Sequence, residues 1–330
     1  MASYLLRGLT ADGSVRVVAA DTTDLVREAV VRHGASRTAG AALGRTLTAG
    51  LLLAHVLLKD HRDRVTLRFR GDGPLGGVIA DAGLDGSVRG YVNQPHAELP
   101  LTPDGKIDVG GGIGTGELLV VRSHAPYGDP YSSTVDLVSG EIAEDVATFL
   151  ARSEQIASAV LLGVYFGKDG LVENAGGVIL QALPDANDAA LAVLEANVKE
   201  FGGLTSAMQR APLAELVREE LAWGLGYENL TPEPLPLRFA CRCSDAKALE
   251  ALAYFSPDER NEMIEQDGGA EVVCHWCGEK RWIGPELIRS LTGTEIRCPD
   301  CDTLWYREGQ TRSVREGQRC ACGRTIELPN

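Results

Sequence analysis

All eight cysteines of the 330-residue chain fall between Cys241 and Cys322, which leaves the first 240 residues without a thiol. In a reducing compartment, thiols gathered this way serve metal or redox chemistry more often than structural disulfides. The opening Met1-Ala2-Ser3-Tyr4-Leu5-Leu6-Arg7 has no basic region followed by an apolar run, and Asp12 and Asp21 come early. No secretory leader is expected, and a cytoplasmic location is.

The first cysteine set is Cys241-Arg242-Cys243, then 30 residues, then Cys274-His275-Trp276-Cys277. Four thiolates from two close pairs can close a tetrahedron around Zn2+. The plainest role is a staple. A segment of about 50 residues buries too little apolar surface to be safely stable alone, and structural zinc contributes roughly 10–16 kcal/mol of apparent folding free energy. The spacing also permits oxidation. Residues i and i+2 of an extended chain lie about 6.6–7.2 Å apart at Cα, whereas a disulfide tolerates about 4.4–6.8 Å. A bridge within Cys241-x-Cys243 therefore bends the chain and is easily reversed. Arg242, Lys280 and Arg281 supply positive charge that favours thiolates. His275 is read as a bystander.

The second set is Cys298-Pro299-Asp300-Cys301, then 18 residues, then Cys320-Ala321-Cys322. This looks like a zinc ribbon, so one or two zinc ions are expected per chain. A structural staple is preferred here to a second redox sensor. Residues 297–330 hold 6 Arg+Lys against 5 Asp+Glu, and the whole chain has a formal net charge of −14. Phosphate backbones repel such a molecule, and nucleic acid is not an expected partner. The most apolar stretch, Leu47 to Leu58, is too short to span a bilayer and reads as a buried helix, so no membrane association is expected.

Four segments are expected: a mixed core over 1–183, a linker of amphipathic helices over 184–237, a zinc domain over 238–290 and a ribbon-like extension over 291–330. In the core, Asp12-Gly13 predicts a hairpin turn. Helices are expected over 21–34 and 38–59, the second carrying Gly40, Ala41, Gly44 and Gly50 for close packing. Strands are expected over 64–70, 77–81, 87–92, 106–109, 117–122, 133–138 and 177–181, with helix signals from Ile142 to Ser153 and beyond. Strands and helices come in blocks, so the fold class is α+β rather than doubly wound. In the linker, Leu191, Leu194, Val198 and Phe201 share one helical face, as do Leu213, Leu216, Val217 and Leu221. Thr231 to Pro236 reads as a stiff, extended hinge.

Other signals are weak. Gly110 to Gly116 lacks the Gly-Lys-Ser/Thr of a phosphate loop and reads as a hairpin loop. Ser123, His124 and Asp129 lack a nucleophile elbow. His55 reads as a core or groove residue, and Glu141, Glu144 and Asp145 as a solvated helix start.

Several blocks resemble one family. Gly34-Ala35-Ser36-Arg37-Thr38-Ala39, Ala42-Leu43-Gly44-Arg45 and Leu47-Thr48-Ala49 look like its long-helix motif. Gly73-Pro74-Leu75-Gly76, Val78-Ile79-Ala80-Asp81 and Val88-Arg89-Gly90-Tyr91-Val92 look like its strand signature. Ser139 to Asp145, Ser153-Glu154-Gln155 and Ala175-Gly176-Gly177 match further blocks, and the two cysteine pairs match its zinc switch. The sequence resembles the 33-kDa redox-regulated heat-shock chaperonins, bacterial cytosolic holdases, over about residues 1–290.

The resemblance implies a reduced, inactive chaperone holding Zn2+ through Cys241, Cys243, Cys274 and Cys277. It implies that oxidation forms Cys241–Cys243 and Cys274–Cys277 disulfides, expels zinc, and unfolds the C-terminal domain and linker. It further implies that unfolding client proteins are then held without ATP, by a homodimer when oxidised. The extension with Cys298, Cys301, Cys320 and Cys322 departs from the family pattern. No enzymatic activity is expected. A thiol–disulfide oxidoreductase would place its C-x-x-C after a strand at a helix N-terminus, and the C-x-C partner argues against it. For the extension, a zinc-ribbon interaction module is the alternative.

Overall fold

The computed structural model describes residues 2–124 and 129–291, and beyond these residues 295–297, 304–307, 319–320, 322 and 325. The chain divides into two compact units, Met1–Cys241 and Arg242–Asn330.

The first unit opens with β1 (Tyr4–Thr10) and β2 (Val15–Asp21), a hairpin whose turn holds Gly13 at φ +74°. The Asp12 carboxylate closes the turn, accepting from Thr10 Oγ1 at 2.7 Å and Ser14 N at 3.1 Å. α1 (Thr23–His33) ends at left-handed Gly34, and Ser36 caps α2 (Arg37–Leu57) by accepting from Ala39 N at 3.1 Å. There follow β3 (Arg64–Gly71), β4 (Val78–Gly83), β5 (Ser87–Val92), α3 (Val109–Ile113), β6 (Gly116–Ser123), β7 (Tyr131–Asp136), α4 (Ala143–Arg152), β8 (Ser158–Phe166) and β9 (Val172–Ala182). After these come α5 (Asp188–Phe201), α6 (Leu204–Met208), α7 (Leu213–Leu216) with a π-helical continuation Val217–Leu221, and short strands β10 (Tyr227–Asn229), β11 (Leu235–Pro236) and β12 (Arg238–Phe239).

Two sheets result, ordered β10-β1-β2-β9-β8, with β11 also on β1, and β12-β5-β4-β3-β6-β7. Pairing is antiparallel except between β12 and β5. This is the α+β arrangement expected from the blocks. α2 packs on both sheets, and its small residues are the reason it fits. A Cβ on Gly44 would stand 2.6 Å from Val26 Cγ1 and 2.7 Å from Val164 Cγ2, while Gly50 faces Ala80 and Ala82. By length and composition α2 could cross a bilayer, but 78% of its apolar window is buried inside the fold. Its hydropathy belongs to the core.

Five local expectations need correction. No strand forms at 106–109: Asp108 caps α3, accepting from Gly111 N at 2.7 Å. The glycine run is accordingly helical from Gly110 to Ile113, with Gly114 as C-cap and Gly116 opening β6, and not a hairpin loop. Its lack of side chains admits a second backbone, with Gly73 N donating to Ile113 O and Leu75 N to Gly112 O, both at 2.9 Å. Beyond Ser153 the chain forms β8 rather than more helix, because an apolar run has no period that distinguishes the two until β9 pairs with it. The expected hinge at 231–236 adjoins β10 and runs into β11, and both strands pair with β1. The supposedly solvated helix start is not solvated at Asp145. That carboxylate is fully buried and accepts from the backbone N of Val138 at 2.7 Å, Ser139 at 3.2 Å and Ile142 at 3.0 Å. Glu141 pairs with Arg45 at 2.5 Å, and Glu144 alone of the three is exposed.

Helices α5 to α7 lie on the face of β2 and β9. Leu194, Phe201, Leu213 and Leu221 pack there against Val15, Val17, Val178 and Leu180. The attachment of α5 is thin: only Ala190, Leu194 and Phe201 of its 14 residues are buried, and a cavity of about 400 Å³ remains between it and β8–β9.

The second unit holds α8 (Asp245–Leu252), α9 (Pro257–Asp267), the hairpin β13 (Ala270–Val273) and β14 (Lys280–Ile283), and α10 (Pro285–Ser290). Among the described residues its buried cluster is Ala248, Leu252, Ile283 and Ile288, with the partly buried Leu249, Met263, Ile264, Ala270, Val272 and Leu291 packed on it. That is too little apolar surface to offset the chain entropy of a segment this long. Further on, β15 (Glu295–Arg297) pairs with β16 (Leu304–Arg307), and Arg319 bridges to Thr325.

Candidate metal centre

Each cysteine of the first set is placed by the element beside it. Cys241 follows β12 by one residue, and Cys243 directly precedes Ser244, whose side chain caps α8 by accepting from Lys247 N at 3.2 Å. Cys274 and Cys277 lie in the tight connection between β13 and β14. There Gly278 N donates to Cys274 O at 2.8 Å, and Gly278 has φ +68°. This turn points two sulfurs the same way.

The four Sγ atoms all lie within 4.8 Å of one another, with Cys243 and Cys277 at 3.6 Å. Zn–S bonds of about 2.3 Å in a tetrahedron separate sulfurs by about 3.8 Å, so the donor set fits zinc in both chemistry and spacing. Cys277 is buried and the other three half-buried. His275 is exposed and lies outside the cluster.

Arg281 on β14 adds a charge. Its Nη2 lies 3.7 Å from Cys243 Sγ and its Nη1 2.5 Å from Asp245 Oδ1. The Cys243 sulfur first, and the Asp245 carboxylate second, hold the guanidinium above its ordinary pKa. Lys280, also expected to favour the thiolates, pairs instead with Glu271 at 3.1 Å. Arg242 offers its backbone carbonyl to Lys247 Nζ at 3.0 Å.

The family model described as Hsp33 protein matches residues 3–283. The chain belongs to the Hsp33 family. A 33 kDa chaperonin of Thermus thermophilus is 54% identical over 335 residues, covering 99% of this chain and 97% of that one. The 33 kDa chaperonin of Deinococcus radiodurans is 48% identical over 295 residues, covering 89% of this chain and 99% of that one. A crystal structure of the Hsp33 homologue of Thermotoga maritima superposes with a TM-score of 0.79 at 34% identity, covering 88% of this chain and 97% of that one. An Hsp33-type chaperonin is a chaperone rather than an enzyme by the names of its relatives.

The Hsp33 match ends at residue 283, before the second cysteine set. Of that set, Cys320 is buried and Cys322 exposed, and in sequence both fall between Arg319 and Thr325, which form an isolated antiparallel bridge. Cys298 and Cys301 lie outside the described residues.

The remaining sequence signals resolve simply. The His124 ring Nδ1 lies 2.9 Å from an Asp63 carboxylate oxygen, a contact outside the Ser123–Asp129 grouping. His55 is largely buried with no hydrogen-bond partner on either ring nitrogen. Desolvation first, then the charges of Arg7 and His61, lowers its pKa to about 4. Sequence reasoning missed the buried pair Arg64–Asp81 and the Asp145 acceptor site. The one available signal was a charged residue inside an otherwise apolar stretch.

Proposed function

We propose that this chain is an ATP-independent holdase of the bacterial cytosol, silent when its thiols are reduced and switched on by their oxidation. The observation that carries the reading is the four-sulfur cluster, assembled from pairs 30 residues apart, at the root of a unit whose described residues bury a small apolar cluster. Zinc, when bound, neutralises thiolates that otherwise repel one another and supplies the folding energy that this apolar cluster lacks. Cys241, Cys243, Cys274 and Cys277 hold it.

Oxidation joins Cys241 to Cys243 and Cys274 to Cys277. Each bond takes two electrons from two thiolates, reduces one peroxide, and removes two ligands. The second unit then loses its fold. Cys241 follows β12 by one residue, so release there frees the chain leading back to β10 and β11. The thinly attached α5 detaches first, and α6, α7 and the π-helical turn, whose Leu213, Val217 and Leu221 are buried, leave after it. Their departure bares the apolar face of β2 and β9, where unfolding clients bind, and the oxidised chain pairs as a homodimer. In the extension, Cys298, Cys301, Cys320 and Cys322 hold a second, structural zinc.

The test measures zinc per chain before and after peroxide at mild heat, with suppression of client aggregation on the same samples. Release of zinc together with suppression is expected. Suppression by a chain that keeps its zinc and its fold overturns the reading.

A further inference from the structure

We infer that Arg281 is a positioning residue that restrains oxidation of the zinc-binding thiolates by donating to the Cys243 sulfur. The inference rests on the proposed switch and assigns its threshold to a named side chain.

The geometry is specific. Arg281 stands on β14, in register with Val272, on the hairpin that carries Cys274 and Cys277. Its guanidinium donates to a sulfur of the other pair, Cys243, at 3.7 Å. The second arm of the fork is fixed by Asp245, the first residue of α8, at 2.5 Å. The side chain is 25% exposed, so solvent screens this cation less than it does neighbouring Lys280, which is 67% exposed and committed to Glu271.

Four thiolates around Zn2+ carry a net charge of −2; Asp245 shares the Arg281 charge, so what the guanidinium brings to the cluster is chiefly the N–H aimed at Cys243. An N–H donated to a thiolate withdraws density from the sulfur and lowers its nucleophilicity. In the oxidation, the Cys243 thiolate attacks one oxygen of a peroxide, the O–O bond breaks, and hydroxide departs to leave a sulfenic acid. The Cys241 thiolate then forms the S–S bond and displaces a second hydroxide, so two sulfurs lose the two electrons that the peroxide gains. The first attack is the step that Arg281 slows. Once Cys243 is in a disulfide its charge is gone, the guanidinium loses that partner, and the restraint does not act against the forward direction.

The experiment uses the full zinc-loaded chain, with R281Q and R281K, and follows zinc appearing under peroxide with a chromogenic chelator. R281Q is expected to release zinc about tenfold faster, with R281K in between because it keeps the charge and loses the fork. In cobalt-substituted protein, the sulfur-to-metal charge-transfer band of R281Q is expected at lower energy, a shift that mere loosening of the fold does not produce. Release of zinc from R281Q at the wild-type rate or slower, with an unshifted band, overturns the inference and leaves the switch standing. If R281Q does not retain metal, the same reading is made on R281K, where wild-type kinetics and band position overturn it. A wild-type chain that keeps its zinc under peroxide overturns the switch and this inference together.

Discussion

The Arg64 guanidinium and the Asp81 carboxylate form a buried ion pair, Nη2 to Oδ1 at 2.7 Å, between neighbouring strands β3 and β4. Every arm is occupied. Arg64 also donates to Ser87 Oγ at 2.7 Å, and Asp81 accepts from Thr66 Oγ1 at 3.1 Å. Asp81→Ala leaves the buried Arg64 with Asp85, at 3.6 Å, as its remaining counter-charge, and is expected to lower the stability of the first unit by about 3 kcal/mol. Urea unfolding measures it, and a loss below about 1 kcal/mol contradicts the account.

Asp145 is a second buried anion, satisfied by three backbone donors rather than by a cation. It holds the chain where Ile142 takes φ +67° and Ala143 N closes a three-residue turn on Glu141 O at 2.8 Å. Asp145→Ala strands those donors and is expected to cost at least about 2 kcal/mol. Asp145→Asn, which keeps one acceptor, costs less in the same assay.

His55 makes the first unit sensitive to acid. Its folded pKa of about 4 lies below the ordinary 6.5, so the unfolded chain takes up the proton first as pH falls. Its contribution is complete above about pH 6.5 and is lost progressively down to about pH 4, roughly 2 kcal/mol of it between pH 7 and 5. His55→Leu is expected to remove that share of the pH dependence, seen as a flatter profile of unfolding free energy against pH.

Metal removal is expected to act on one unit and spare the other. A strong chelator unfolds the second unit, whose buried cluster among the described residues is Ala248, Leu252, Ile283 and Ile288. The first keeps the amide protection of β2 and β9 while the chain remains reduced. Hydrogen exchange resolves the two, and survival of protection in α8 and β14 without metal contradicts the staple.

A chain ending after Ser290 is expected to bind one zinc where the full chain binds two, with client protection after peroxide retained. Equal zinc in both lengths removes the second centre.

The sequence alone determined the cysteine pairs, the Asp12-Gly13 hairpin, the long Ala/Leu helix and the α+β class. Each is written in local spacing or composition, where a few neighbouring residues decide the outcome. Pairing partners are not local. Ser158–Phe166 became a strand only because Val172–Ala182 lay alongside it, and Leu235–Pro236 because β1 offered an open edge. Asp145 read as part of a solvated helix start until the fold closed over it, since burial belongs to the packed chain and not to the residue. Arg281 and Lys280 are adjacent and alike in charge, yet only the first reaches a sulfur. Successive strand residues point to opposite faces, and the tertiary structure decided which face held Cys243.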